Sequence, residues 1–182
     1  MNTKLRNILE NITYTFTANI LTMLISIIMT LILPKFLGVT DYSYYQLYIF
    51  FISYVGFFHF GWIDGIYLKI GGMEYNDLEK SDYVTQFWML NVLEIIIAAI
   101  ISIFALFIIK NIDKSFVLIS TSVCGVITIL RTYLLFILQS TNRIKEYAKY
   151  TRVDRFIYFA LVIVFLFLGF KNYKIILYID IF

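Results

Sequence analysis

The sequence is poor in charge and in the residues that interrupt or cross-link a chain. Of its 182 residues only 15% are charged, and it contains one proline, one cysteine and one histidine. So little charge argues against an ordinary soluble domain, in which about a quarter of the residues are charged. A single cysteine excludes an intrachain disulfide, and one cysteine with one histidine gives almost no support for a zinc or redox-metal site.

What the sequence has in abundance is apolar residues. Hydrophobic residues make up 61% of the chain, and its mean hydropathy is +0.83. The net charge of +3 is too small to indicate binding to nucleic acid. The composition therefore predicts an integral membrane protein.

Six apolar runs predict membrane-spanning helices. A helix needs about 20 apolar residues to cross the hydrocarbon core, and the runs cover 12–33, 45–68, 84–109, 116–138, 153–170 and 175–182. The runs are apolar on all faces, which argues against the alternating strands of a membrane barrel. We predict an all-α, polytopic membrane protein in which 1–182 form a single transmembrane bundle. It has five complete helices and the start of a sixth that the chain end cuts short.

The distribution of Lys and Arg between the loops predicts the orientation of this bundle. With the N-terminus in the cytoplasm, nine basic residues lie in cytoplasmic segments and five in outer segments, as the positive-inside rule requires. Most of the excess comes from residues 141–155, with five basic and two acidic side chains. This segment is either an ordinary basic cytoplasmic loop or a short helix lying on an anionic leaflet.

Polar residues recur along one face of the first predicted span. They lie three or four residues apart, the spacing at which helix side chains share a face, and are Thr15, Asn19, Thr22, Ser26 and Thr30. Small polar residues let helices pack closely and bond to each other. For the hydroxyl residues we prefer this structural interpretation.

The charged residues Asp64, Glu94 and Arg131 fall inside the second, third and fourth predicted spans. A charge at the bilayer centre costs about 2.5–3.5 kcal/mol on insertion scales, so such residues are functional candidates. At about 1.5 Å per residue, Arg131 lies roughly 10 Å and Glu94 roughly 15 Å from the inner ends of their spans. We predict a cavity open to the cytoplasm and lined by Arg131, Glu94 and Asn19, with Asn91 and Asp64 as further candidates. The alternative is that Glu94 and Arg131 simply pair and lock two helices together.

Glycines near the end of the second predicted span indicate close packing. Gly61 and Gly65 are four residues apart, a spacing that lets two helix backbones approach each other. The pair Gly71 and Gly72 is the expected helix stop.

The segment 33–72, "LPKFLGVTDYSYYQLYIFFISYVGFFHFGWIDGIYLKIGG", resembles the second-helix region of polysaccharide and oligosaccharide flippases. These form the Wzx-like branch of the multidrug/oligosaccharidyl-lipid/polysaccharide exporter superfamily. The shared pattern is a proline and "FLG" after helix one, "YxxYQL" opening helix two, and a closing "DGIYL". "SDYVTQFWML" and "LQSTNRIKEYAKYTRVDR" also look like Gram-positive members of the group.

The resemblance implies a multi-pass protein of a bacterial cytoplasmic membrane that flips undecaprenyl-pyrophosphate-linked oligosaccharides for surface polysaccharide biosynthesis. It implies alternating access between two six-helix bundles of a MATE-like fold. Arg131 then becomes the candidate contact for the pyrophosphate headgroup, because arginine bonds to phosphate with several donors at once. Glu94 and Asp64 become candidates for gating or for coupling to H⁺ or Na⁺. No cofactor or enzymatic step is expected.

The family has twelve or more spans, so we expect this chain to correspond to one N-terminal bundle and to be a fragment. The missing C-terminal half or a second copy would then be its partner, besides membrane lipids and the lipid-linked oligosaccharide. Three other functions stay open. They are a drug or metabolite exporter of the same superfamily, a non-functional remnant or assembly partner, and a membrane glycosyl polymerase. The polymerase is disfavoured by the short outer loops.

Overall fold

The computed structural model describes residues 3–181, and every regular element in this range is helical. The α-helices are α1 (Thr3–Phe36), α2 (Val39–Ile52), α3 (Trp62–Ile70), α4 (Lys80–Ile108), α5 (Ile112–Ser140), α6 (Ile144–Phe167) and α7 (Tyr173–Ile181). Short 3₁₀ turns cover Val55–Phe57 and Tyr75–Asp77. Three helices are long and apolar enough to cross a membrane, or four if the bent pair α2 and α3 forms one span. The all-helical, membrane-compatible architecture predicted from the composition is therefore confirmed.

The second apolar run is not the single helix predicted over 45–68. It begins earlier, at Val39, and breaks between the 3₁₀ turn and α3, where the two parts meet at a bend of 53°. Phe60 and Gly61 have φ angles of +48° and +77°, a left-handed conformation that cannot continue a right-handed helix. Turn hydrogen bonds such as Trp62 N–H to His59 O at 2.8 Å pair the backbone groups that the break would otherwise leave open.

The basic segment 141–155 is not a separate loop. From Ile144 onward it is helical and continuous with the following apolar run, so that α6 extends unbroken to Phe167. This helix carries Arg152, Asp154 and Arg155 well inside its length, and α6 is not among the three long apolar helices. The charges assigned to a cytoplasmic loop therefore enter the bundle on one of its helices.

Helix α5 lies at the centre of the bundle, between two clusters of buried side chains. One cluster joins α5 to α1, α2, α6 and α7 around Leu33, Tyr48 and Leu177. The other joins it to α3, α4 and the first 3₁₀ turn around Ile63 and Leu90. Small and hydroxyl residues on α5 allow this central position because they let neighbouring backbones approach.

The close packing predicted for Gly61 and Gly65 is found at another glycine. A Cβ atom placed on Gly61 or Gly65 would meet nothing within 4 Å, whereas one on Gly125 would lie 3.2 Å from both methyl carbons of Val55. Gly61 is instead needed for the left-handed turn before α3. Gly71 and Gly72 follow the last residue of α3, Ile70, and Gly72 has φ +90°, which confirms the predicted helix stop.

Side-chain contacts tie the helix ends together in two groups. At one end, Lys145 Nζ donates to Glu10 Oε2 at 2.9 Å, and Asn11 bonds to Asn142 at 3.0 Å. The hydrogen bond to Glu10 raises the pKa of the Lys145 ammonium. At the other end, the Tyr173 hydroxyl donates to Asp113 Oδ1 at 2.7 Å. The predicted inner and outer loops thus gather at opposite ends of the bundle, and which end faces the cytoplasm stays a prediction.

Candidate functional site

A cavity of about 570 Å³ lies between α1, α2, α5, α6 and α7, and we call it the polar cavity. Its four charged lining residues are Arg131 on α5, Asp154 and Arg155 on α6, and Asp180 on α7. Two arginines and two aspartates in an apolar helical bundle are costly to bury unless they are paired or face water. The polar cavity is therefore the first candidate for a functional site.

Arg131 and Asp154 form an ion pair across the hairpin of α5 and α6. Arg131 Nη2 lies 2.7 Å from Asp154 Oδ2. Arg131 precedes the end of α5, Ser140, by nine residues, and Asp154 follows the start of α6, Ile144, by ten. At about 1.5 Å per residue both side chains start about 14–15 Å from the connecting turn. The antiparallel arrangement thus brings two charges to the same depth.

Asp180 is held by two groups at the other side of the polar cavity. The Tyr48 hydroxyl donates to Asp180 Oδ2 at 2.5 Å. The sulfur of Cys124 lies 3.9 Å from the same oxygen and 3.8 Å from the Asp180 carbonyl oxygen. Cys124 is the only cysteine of the chain and lines the polar cavity. Its relative exposure is 3%, so the rate at which its thiol is labelled reports how readily a reagent enters this space.

Helix α1 contributes part of its polar stripe to this cavity. Ser26 and Thr30 are among the lining residues, and their hydroxyls donate to the carbonyl oxygens of Thr22 and Ser26, four residues earlier. Asn19 is exposed and does not line the polar cavity. Its predicted place beside Arg131 is therefore wrong, because only the later part of the stripe lines the polar cavity.

Glu94 does not share a cavity with Arg131, contrary to the prediction. It lines a separate space of about 330 Å³ between α2, α4 and α5, which we call the apolar cavity. Asn91 is half-buried and lines neither of these two cavities. The ion pair between Glu94 and Arg131 that was the alternative is also wrong, since Arg131 pairs with Asp154. Depth along the span did not predict these contacts, because residues at equal depth on different helices can face different neighbours.

Asp64 lies near the break between α2 and α3, away from both cavities. Its side chain is 61% exposed, and the imidazole of His59 approaches it, with Nδ1 lying 3.9 Å from Asp64 Oδ2. This separation is too long for a hydrogen bond. The geometry thus places Asp64 on the surface of the bundle.

Three charged residues of the polar cavity escaped the sequence reasoning. Asp154 and Arg155 stand where the basic segment 141–155 overlaps the fifth predicted span, and they were counted with the basic segment. Asp180 stands in the short run at the chain end, where its neighbours gave too little context. The signal that could have found the first two is the spacing from the turn at 141–143, which places Arg131 and Asp154 at matched distances. Among residues 3–181, no three His, Cys, Asp or Glu side chains lie close enough together to hold a metal ion.

Comparisons of the chain with protein-family models, with curated proteins and with solved structures found no match. The chemistry of the two cavities and the resemblance carried by residues 33–72 are therefore what bears on function.

Proposed function

We propose that this chain forms part of a transporter that flips undecaprenyl-pyrophosphate-linked oligosaccharides across the cytoplasmic membrane of a bacterium. The observation that carries the proposal is the polar cavity, in which Arg131 and Arg155 lie inside a helical bundle. The resemblance of residues 33–72 to Wzx-like flippases supplies the substrate class. On this proposal the chain is one N-terminal bundle of a MATE-like fold.

The charges of the polar cavity suit a ligand that carries several negative oxygens. Arginine presents five donors in a planar fork that matches phosphate oxygens. In the absence of such a ligand, Asp154 accepts from Arg131 and reduces the cost of keeping the guanidinium in the bundle. A pyrophosphate that enters would replace Asp154 as the acceptor, with Arg155 as a second cationic contact.

Transport of such a lipid changes no covalent bond, so the proposal assigns no catalytic residue. Alternating access requires one bundle to rock against another, so the partner is a second bundle, supplied by further chain or by a second copy. Among the acids, Asp180 lines the polar cavity and is the better candidate for coupling to H⁺ or Na⁺. Glu94 stands in the other cavity.

The site is tested by labelling Cys124 with a small maleimide in phosphatidylcholine nanodiscs. We expect geranylgeranyl pyrophosphate to slow the labelling rate at least about threefold, because its headgroup fills the polar cavity, and geranylgeraniol, which lacks the pyrophosphate, to leave it unchanged. Arg131→Leu should abolish this protection. Arg143→Leu is the matched control, since Arg143 pairs with Glu146 outside the polar cavity and should retain it.

Protection of wild-type Cys124 that persists in Arg131→Leu would contradict the assignment of Arg131. The transport function itself is tested by deleting the gene and quantifying lipid-linked oligosaccharides by mass spectrometry. We expect repeat units to accumulate in the inner leaflet and surface polysaccharide to fall, with both restored by the wild-type gene. Unchanged amounts of both in the deletion strain would refute the function without bearing on pyrophosphate binding.

A further inference from the structure

Glu94 is a buried acid that the polar cavity does not account for. Its relative exposure is 2%, and its Oε1 atom is buried with no hydrogen-bond partner among the described residues. It lies 14 residues from each end of α4, whose bounds are Lys80 and Ile108. At about 1.5 Å per residue it stands about 21 Å from either end of this candidate span. A buried polar atom needs a partner, so an unpaired oxygen in the middle of a span indicates a missing one.

The space in front of Glu94 is large enough for a small molecule. The apolar cavity has a volume of about 330 Å³, within the usual range of about 300–1,000 Å³ for ligand pockets. Four aromatic residues line it, namely Phe50, Phe51, Tyr54 and Phe58. The hydroxyls of Thr121 and Ser122, which also line it, already donate to carbonyl oxygens of α5. Their protons are therefore not available to Glu94.

Charge decides which ligand suits this cavity. Among the described residues that line it there is no Lys, Arg or His, and Glu94 supplies the one carboxyl group. A carboxylate in an apolar surrounding is stabilised most by a cation that also brings hydrogen-bond donors. Aromatic faces attract cations as well. An ammonium group meets both requirements, and an apolar body attached to it fits the rest of the lining.

We propose that the apolar cavity binds a membrane-soluble organic amine, whose ammonium pairs with Glu94. The apolar body of the amine packs against the aromatic residues at the end of α2 and on either side of the first 3₁₀ turn. The amine reaches the cavity at mid-span from within the lipid. This site is separate from the polar cavity, and the proposal does not depend on the flippase function.

The test uses the purified chain in phosphatidylcholine nanodiscs and monodansylcadaverine, a fluorescent primary amine. Its N-acetyl derivative keeps the dye and the linker but has no charge, so it is the matched ligand. We expect the wild-type protein to bind the amine at least about tenfold more tightly than the derivative. Glu94→Gln, which keeps the shape of the side chain, should remove this difference, and Asp64→Asn, which removes an exposed carboxylate, should preserve it.

A second variant keeps Glu94 and fills the space. Ala98 lies one turn after Glu94 and lines the apolar cavity, so Ala98→Phe should weaken binding of the amine at least about tenfold. The proposal is overturned if Glu94→Gln binds the amine as tightly as the wild type. It is equally overturned if the wild-type protein binds the acetylated derivative as well as the amine. The effect of geranylgeranyl pyrophosphate on the labelling rate of Cys124 tests the polar cavity, and its result does not depend on these outcomes.

Discussion

The ion pair between Arg131 and Asp154 should couple the stabilities of α5 and α6, and a double-mutant cycle measures this coupling. The cycle consists of Arg131→Leu, Asp154→Leu and the double variant. Each single variant leaves one charge of the pair without its partner inside the bundle, whereas the double variant removes both. We therefore expect the double variant to be less destabilised than the sum of the two singles.

The size of the coupling follows from the distance and the exposure of the pair. At the 2.7 Å separation of Arg131 and Asp154, Coulomb's law gives an attraction of about 1.5 kcal/mol in water and about 6 kcal/mol at an effective dielectric constant of about 20. The side chains are 34% and 41% exposed, so solvent screens the pair and desolvation offsets part of the rest. We expect a coupling free energy of about 1–2 kcal/mol, and a loss of about 2–3 kcal/mol in each single variant.

The assay is reversible unfolding in mixed detergent micelles, titrated with sodium dodecyl sulfate and followed by helical circular dichroism. The control cycle uses Arg143 and Glu146, which pair outside the polar cavity near the start of α6. This pair is as exposed as the pair of Arg131 and Asp154, but its members lie three residues apart in sequence and can stay paired in the helices that persist in sodium dodecyl sulfate. We therefore expect a coupling free energy below about 0.5 kcal/mol there. Additive effects of Arg131→Leu and Asp154→Leu, within about 0.3 kcal/mol, would refute the reasoning that the pair stabilises the hairpin.

Two further predictions use the same unfolding assay. Gly125→Ala should lower the free energy of unfolding by about 1–2 kcal/mol, because its Cβ atom would lie 3.2 Å from the methyl carbons of Val55. Gly65→Ala, whose Cβ atom meets nothing within 4 Å, should be neutral or stabilising by up to about 1 kcal/mol, and the reverse order would contradict the packing. Tyr133→Phe should cost about 1 kcal/mol, because its hydroxyl donates to the Tyr83 carbonyl oxygen at 2.7 Å. An unchanged free energy of unfolding would show that water bonds to the Tyr83 carbonyl oxygen in the variant as well as the Tyr133 hydroxyl does in the wild type.

The sequence predicted the helix breaks only where a residue type forces them. Gly71 and Gly72 ended a helix as expected, whereas the break before α3 was missed because it depends on the left-handed backbone of Phe60 as well as Gly61. The first predicted span ended at residue 33, just before Pro34, but α1 includes this proline and continues to Phe36. Local sequence patterns therefore located most helices, but the predicted helix ends differ from the observed ones by several residues.

The candidate site was predicted less well than the fold. Arg131 was identified as an intramembrane charge, and the structure places it in a polar cavity. Its partner Asp154 was missed because a charged segment looks like a loop until the helix is known to continue through it. Glu94 and Asn19 were grouped with Arg131 by depth alone. In the structure Glu94 points into the apolar cavity and Asn19 is exposed, so neither lies beside Arg131.

By itself the sequence determined that this protein is helical and suited to a membrane, because the length of an apolar run and the need to pair backbone groups in lipid depend on composition alone. The tertiary structure decided which charges meet. Arg131, Asp154 and Asp180 stand on three different helices, and their meeting depends on the register of α5 against α6 and the docking of α7. The same packing left Glu94 without a partner among the described residues, since α4 faces aromatic residues there rather than a basic one.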